Sequence, residues 1–167
     1  MVDAGRTAVL AAEEIAFGGT TLDLPVDRGT ADRTIAEITA GPWWRSCGVV
    51  VAVQRPRRGT RSSSARHRPD HVEIQLSDEQ LTRATVAHEL AHALATVARH
   101  HDEVFRAAYL DLVAVIGGTV CADALADAFT AMGIAAGDRR WPAPYWVAGD
   151  AFLMIGTARL QMCPKVR

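Results

Sequence analysis

The sequence has no long apolar run. Its longest stretch without a charged side chain is the 11 residues from Leu112 to Ala122, well short of the roughly 20 residues that a membrane-spanning helix needs. The apolar stretch near the N-terminus is short and has Arg6, Glu13 and Glu14 around it, unlike the core of a signal peptide. We therefore expect a cytoplasmic protein with no membrane partner.

The sequence has few cysteines and almost no net charge. The three cysteines are widely spaced and form no C-x-x-C pair, which argues against a disulfide-stapled scaffold. A net charge of −1 offers no global attraction for nucleic acid or membrane. Hydrophobic residues at 49% and charged residues at 22% are ordinary for a globular chain. With 167 residues, this composition predicts a single domain spanning 1–167.

The first half of the chain predicts helices followed by strands. Helices are predicted for Thr7 to Phe17 and Ala31 to Thr39. The β-branched run over 48–53 predicts a strand buried on both faces, and the alternation from His71 to Leu76 predicts a half-buried strand. Between these strands we expect a basic loop over 55–70, which would make the pair a long-looped hairpin.

The second half predicts helices. Ser77-Asp78-Glu79-Gln80 is a capping-box pattern, so a helix is predicted from there to about Arg99. Further helices are predicted from Asp102 to the Gly117-Gly118 pair and over about 119–132, and a less regular C-terminal extension over 133–167 with a short helix after Asp150. Within the domain, the core that contains the candidate functional motif is expected to span about 48–116. The fold class is therefore α+β.

The residues that carry chemistry are His88-Glu89-Leu90-Ala91-His92, an H-E-x-x-H pattern inside a predicted helix. Residues four apart share one face of a helix, so the two imidazoles can converge on one zinc ion. Glu89 lies roughly 100° around the helix from His88. From there its carboxylate can accept a proton from zinc-bound water, which predicts general-base hydrolysis.

A third ligand is expected, because a catalytic zinc commonly takes three protein side chains. We choose His101, which opens His101-Asp102-x-x-Phe105 just after the motif helix. The whole pattern resembles the H-E-x-x-H…H-G-x-x-F signature of small intracellular zincins, a group that includes the SprT-like proteins and minimal gluzincin-like peptidases. Together with the following residues to Val113, it is most similar to uncharacterised actinobacterial and phage metallohydrolases. The resemblance covers about 77–113 and the preceding strand.

This resemblance implies a zincin-like fold with a metal site, in which a small sheet of about three strands packs on the active-site helix and additional helices complete the domain. It makes His88, His92 and His101 the ligands, Glu89 the general base and Phe105 a packing residue under the site. It also implies that the strand over 71–76 offers its edge to an extended peptide substrate.

Several alternatives stay open. Asp102 stands where the family has glycine, and the third ligand could be displaced to His100. In a class with an acidic ligand, Glu103 or Asp111 would serve; Asp111 could instead orient a ligand imidazole or be a solvated helix acid. A transition-state donor is also expected. The candidates for it are His100, Tyr109, Tyr145 and the loop arginines.

We expect a zinc-dependent intracellular metallopeptidase that acts on a protein or peptide. The alternatives are a catalytically silent or regulatory zinc protein that contacts DNA or a protein partner, and a non-peptide metallohydrolase. DNA would bind the arginine-rich segment 55–68, which is otherwise a solvated loop. The four tryptophans either line a binding cleft or pack in the core; they are Trp43, Trp44, Trp141 and Trp146.

Overall fold

Six α-helices and three short strands make up the part of the chain, residues 4–144, that a computed structural model describes. In chain order they are α1 (Ala4–Phe17), α2 (Arg28–Ala40), α3 (Pro42–Cys47), β1 (Val51–Gln54), β2 (Ser64–His67), β3 (Val72–Gln75), α4 (Arg83–Ala95), α5 (Glu103–Gly117) and α6 (Thr119–Ala131). Short 3₁₀ turns at Asp78–Gln80 and Val97–Arg99 flank α4. The predicted α+β class with a small three-stranded sheet is confirmed.

The sheet has the strand order β1-β3-β2. β1 runs parallel to β3, with Val51 opposite Val72, and β2 runs antiparallel to β3, with Ser64 opposite Gln75. The hairpin predicted from β1 and β3 is therefore wrong. The predicted alternation in β3 is confirmed, because Val72 and Ile74 are buried whereas Glu73 and Gln75 are partly exposed.

Two strand predictions are wrong in detail. The predicted basic loop over 55–70 contains β2, whose Ala65 packs against the core. The strand predicted over 48–53 as buried on both faces is instead the edge strand β1, in which the Val53 side chain is 38% exposed. In both cases position in the sheet, which local sequence does not encode, decides the outcome.

α4 is shorter than predicted at both ends. Ser77 does act as a cap, but it caps a 3₁₀ turn by accepting from the Glu79 amide at 3.3 Å. The cap of α4 is Thr82, which accepts from the Thr85 amide at 3.1 Å. At the other end α4 stops at Ala95, because Thr96 adopts a φ of 71°.

The other predicted helices are present, with bounds that differ by up to about three residues. Asp102, at which this helix was predicted to begin, caps α5 by accepting from the amides of Val104 and Phe105. α4 packs against α5, α5 against α6 and α6 against α1, so the centre of the molecule is helical. The sheet contacts α4 mainly through β2.

Trp43 and Trp44 are buried in the core, whereas Trp141 lines a cavity of about 420 Å³ between α3 and the end of α4. The predicted helix after Asp150 lies outside the described residues, as do Tyr145 and Trp146. No described helix has the length and apolar character needed to cross a membrane.

Candidate metal centre

Three histidine side chains meet between α4 and α5. His88 and His92 lie one turn apart on α4, with ring centroids 5.0 Å apart. The His101 ring, just before α5, lies 5.1 Å from that of His88 and 4.8 Å from that of His92. Their potential ligand atoms all lie within 4.8 Å of one another, close enough to bind one metal ion. The structure therefore brings together the three predicted ligands.

A strained reversal of the chain brings His101 back to α4. Thr96 and His100 have φ values of 71° and 50°, a region that is costly for residues with a side chain. Between them lies a single 3₁₀ turn, after which Asp102 starts α5. The cost of these two conformations is offset by the contacts that fix His101 in a buried position.

Aromatic rings form one wall of the histidine cluster. The Phe105 ring lies 4.3 Å from that of His92, 4.8 Å from that of His101 and 5.1 Å from that of His88. Tyr109, one turn further along α5, lies 5.3 Å from His88. Both aromatic side chains are fully buried. They exclude water from this side and restrict the orientations of the imidazoles.

The two ring nitrogens of His88 have different partners. Nδ1 lies 2.6 Å from Oε1 of Glu13 on α1, and Nε2 lies 3.1 Å from Nε2 of His101. Burial opposes protonation of His88, but the hydrogen bond and charge of Glu13, together with the charge of Glu89, outweigh it and raise the pKa of His88 above its ordinary value.

Glu13 is a site residue that sequence reasoning missed. A signal was present, since Glu13 lies between Val9 and Phe17 at helical spacings of four, and both of those residues are buried. An acidic side chain within an apolar stripe is costly unless it has a buried partner. The sequence pattern does not, however, identify that partner as His88.

Three buried polar atoms at the cluster have no hydrogen-bond partner within the described residues. They are Nδ1 of His92, the hydroxyl oxygen of Tyr109 and Oε2 of Glu89, and Glu89 is 6% exposed. Burial raises the pKa of Glu89 to about 7 and, with the charges of His88 and His101, lowers the pKa of His92 to about 2. Because buried polar atoms in proteins nearly always have partners, the unpartnered oxygen of Glu89 beside the histidines indicates a place that a bound group completes.

The donor set fits a transition metal. Imidazole nitrogens suit zinc, copper, iron and nickel. Two ligands about 2.0–2.1 Å from a tetrahedral zinc lie about 3.3 Å apart, and the facing Nε2 atoms of His88 and His101 are 3.1 Å apart. A metal ion could therefore be held with little movement of these rings.

The alternative ligands lie elsewhere. Asp111 accepts hydrogen bonds from Nε and Nη2 of Arg139 at 2.7 and 2.8 Å and from Nε1 of Trp141 at 2.9 Å. It is therefore neither a ligand, nor a partner of a ligand imidazole, nor a solvated helix acid. Glu103 and His100 are exposed and lie outside the histidine cluster. The structure therefore brings none of these three alternatives into the histidine cluster.

The other predicted site features have mixed outcomes. β3 cannot receive an extended peptide, because both of its edges are paired within the sheet. That prediction is wrong; β2, which contacts α4, is an edge strand. Among the proposed transition-state donors, His100 is exposed, Tyr109 is buried beside His88, and Tyr145 lies outside the described residues.

The arginine-rich segment is exposed. Arg68 pairs with Glu73 at 3.1 Å. The other five arginines form no ion pair with the residues that the structure describes. They are Arg55, Arg57, Arg58, Arg61 and Arg66, all exposed.

Comparisons of the chain with protein-family models, curated proteins and solved structures find no match.

Proposed function

We propose that this chain is a zinc-dependent hydrolase whose substrate is a peptide bond in a protein or peptide. The observation that carries the proposal is the meeting of three imidazoles within 4.8 Å, next in sequence to a carboxylate, Glu89, that is buried with one oxygen unpartnered among the described residues. A purely structural histidine cluster has no need of a buried, incompletely bonded acid beside it.

In this proposal His88, His92 and His101 hold the zinc ion. When bound, zinc would supply a Lewis acid that polarises a carbonyl group and lowers the pKa of water. Glu89 would accept a proton from the attacking water and deliver it to the leaving nitrogen, while one C–O bond forms and one C–N bond breaks. Phe105 would keep bulk water away from one side of the imidazoles.

Two features support a peptide substrate. The H-E-x-x-H…H-D-x-x-F pattern resembles that of small zincin peptidases. In addition, β2 is an edge strand that contacts α4, the helix that carries His88 and His92. The free edge of such a strand can hydrogen-bond to an extended peptide backbone. A hydrolase for a compact non-peptide substrate would gain nothing from this edge.

Metal content tests the first part of the proposal. Elemental analysis of the protein purified with zinc should find about one equivalent in the wild type and far less in the His92→Ala and His101→Ala variants. His100→Ala is the matched control, because His100 is adjacent to His101 but exposed. Wild-type protein without stoichiometric metal, or zinc retained by His101→Ala, would contradict the ligand assignment.

Removal and return of the metal test the second part. A chelator should abolish cleavage of an unfolded protein such as casein, and added zinc should restore it, while the circular dichroism of the fold persists. A chelated protein that unfolds would indicate a structural zinc. A zinc-loaded wild type that cleaves neither casein nor short peptides would favour the regulatory alternative or a non-peptide substrate.

We propose DNA as a second partner, on the strength of the five exposed arginines that lack ion pairs within the described chain. Neutralising Arg57, Arg58 and Arg61 together with glutamine should weaken DNA binding and reduce its log–log salt slope by about 2 to 3. The control is glutamine at Arg33, Arg45 and Arg83, which are exposed on helices. An unchanged slope in the first variant would eliminate this surface.

A further inference from the structure

Glu13 reaches the histidine cluster from a distant part of the chain. It lies on α1, 75 positions before His88, and Oε1 is 2.6 Å from Nδ1 of His88. The contact is largely shielded from solvent, because the Glu13 and His88 side chains are 20% and 13% exposed. A short hydrogen bond to a carboxylate in such surroundings is stronger than a bond between neutral groups.

This contact determines which nitrogen of His88 carries a proton. An ionised carboxylate only accepts hydrogen bonds, so Nδ1 must be the donor. In a neutral ring that leaves the lone pair on Nε2, the nitrogen that faces His101 at 3.1 Å. Glu13 thus directs the metal-binding lone pair of His88 towards the point where the three imidazoles meet.

α1 is fixed in a way that holds Glu13 in place. Phe17, one turn further along α1, is buried and makes an edge-to-face contact with Tyr109 at 6.3 Å. Tyr109 in turn contacts the His88 ring. The imidazole is therefore held by Glu13 at one nitrogen and by Tyr109 against its ring, and the contact between Phe17 and Tyr109 joins α1 to α5 beside it.

The cluster contains a contrast that makes the role of Glu13 specific. Nδ1 of His92 has no partner within the described residues, so His92 receives no comparable orientation from a carboxylate. Among His88 and His92, the ligand pair supplied by α4, only the first has its tautomer and ring direction fixed in advance. A metal site with one pre-oriented ligand binds at lower entropic cost than one with none.

We propose that Glu13 is a positioning residue for His88, and hence that α1 is part of the metal centre. This inference rests on the proposed metal-binding function. Partners of this kind, which hydrogen-bond to a ligand imidazole, typically change metal affinity about 10- to 100-fold when removed.

Zinc affinity, measured by competition with a chelating indicator, tests the proposal. Glu13→Ala should bind zinc about 10- to 100-fold more weakly than the wild type. Glu13→Gln keeps an oxygen acceptor and should recover part of the loss. Glu14→Ala is the matched control, because it removes the same charge from the next, exposed position of α1, and its affinity should equal that of the wild type.

A second measurement separates positioning from a general effect on folding. Long-range ¹H–¹⁵N spectra of the metal-free protein should show His88 protonated at Nδ1 in the wild type and in Glu14→Ala. In Glu13→Ala the population should move towards the Nε2–H form. Merely destabilising α1 would lower the unfolding midpoint without selecting one tautomer of one histidine.

The outcomes distinguish this inference from the proposed function. A wild type that binds zinc and a Glu13→Ala variant with the same affinity and tautomer would overturn the role of Glu13 and leave the metal site standing. A wild type that binds no zinc would overturn both. If Glu13→Ala and Glu14→Ala weakened zinc binding equally, the effect would come from the loss of a negative charge at long range. That result would also overturn the positioning role.

Discussion

Two buried carboxylates on the packed helices α4 and α5 have opposite surroundings. Asp111 is 2% exposed, and its two oxygens accept three hydrogen bonds from Arg139 and Trp141. Glu89 is 6% exposed, and one of its oxygens has no partner within the described chain. The first arrangement ties the segment after α6 to α5. The second lowers stability without fixing any element, which is typical of a group retained for its chemistry.

The largest expected difference between the two is in hydrolysis. Glu89→Gln should lower kcat/KM for a casein-derived peptide by about 10²- to 10⁴-fold, because an amide cannot act as the general base. Zinc content should stay at one equivalent. Asp111→Asn, assayed where it is folded, should remain within about threefold of the wild type. Similar losses of kcat/KM in both variants would contradict the view that Glu89, unlike Asp111, takes part in hydrolysis.

The next effect is on stability and concerns Asp111. Asp111→Asn should lower the free energy of unfolding by about 2 kcal/mol, because Arg139 loses a charged acceptor and an amide N–H faces its guanidinium. Urea denaturation of the metal-free protein measures this change. Asp123→Asn, at an exposed position of α6, serves as the control and should change stability by less than about 0.5 kcal/mol. Equal effects at the two positions would contradict the structural role of Asp111.

The same amide substitution at Glu89 should raise the free energy of unfolding, the opposite of its effect at Asp111. A neutral amide costs less to bury than a carboxylate with an unpartnered oxygen, so metal-free Glu89→Gln should be about 1 kcal/mol more stable than the wild type. The measurement is again urea denaturation, in the presence of a chelator. A loss of stability as large as that of Asp111→Asn would mean that Glu89 is a structural acid.

The smallest effect concerns the turn before His101. His100→Gly relieves the strain of a φ of 50° but makes the unfolded chain more flexible, so the free energy of unfolding should rise by a net amount of about 0.5 kcal/mol. Ala98→Gly in the adjacent 3₁₀ turn relieves no strain, so it should lower the free energy of unfolding by a similar amount. Zinc content should be unchanged in both. Loss of zinc from His100→Gly would show that His100 does more than connect two elements.

The parts of the site that were predictable are those written in local sequence. Helical spacing places His88 and His92 on one face of α4, and the short distance in sequence to His101 keeps it within reach. The contact of Phe105 with the rings follows from the N-cap at Asp102, which starts α5 at the site. Each of these needs only short-range geometry.

The parts that were not predictable depend on distant contacts. The start of α4 at Arg83 is set by Thr82, whose backbone pairs with Pro25 in an isolated bridge. β2 has one apolar residue that reaches the core, Ala65, and becomes a strand because β3 lies beside it. The pairing of Glu13 with His88 joins residues 75 positions apart, and no periodicity encodes such a pair.

The three imidazoles come from only 14 consecutive residues, 88–101. An ion that joins them closes a short loop, which costs little chain entropy, so the denatured polypeptide retains much of its capacity to chelate. Zinc bound by the denatured chain offsets the stabilisation that comes from zinc bound by the native protein. Zinc should therefore raise the thermal midpoint by less than its affinity for the native protein implies. The rise that remains measures the part of the affinity that comes from contacts present only in the native state.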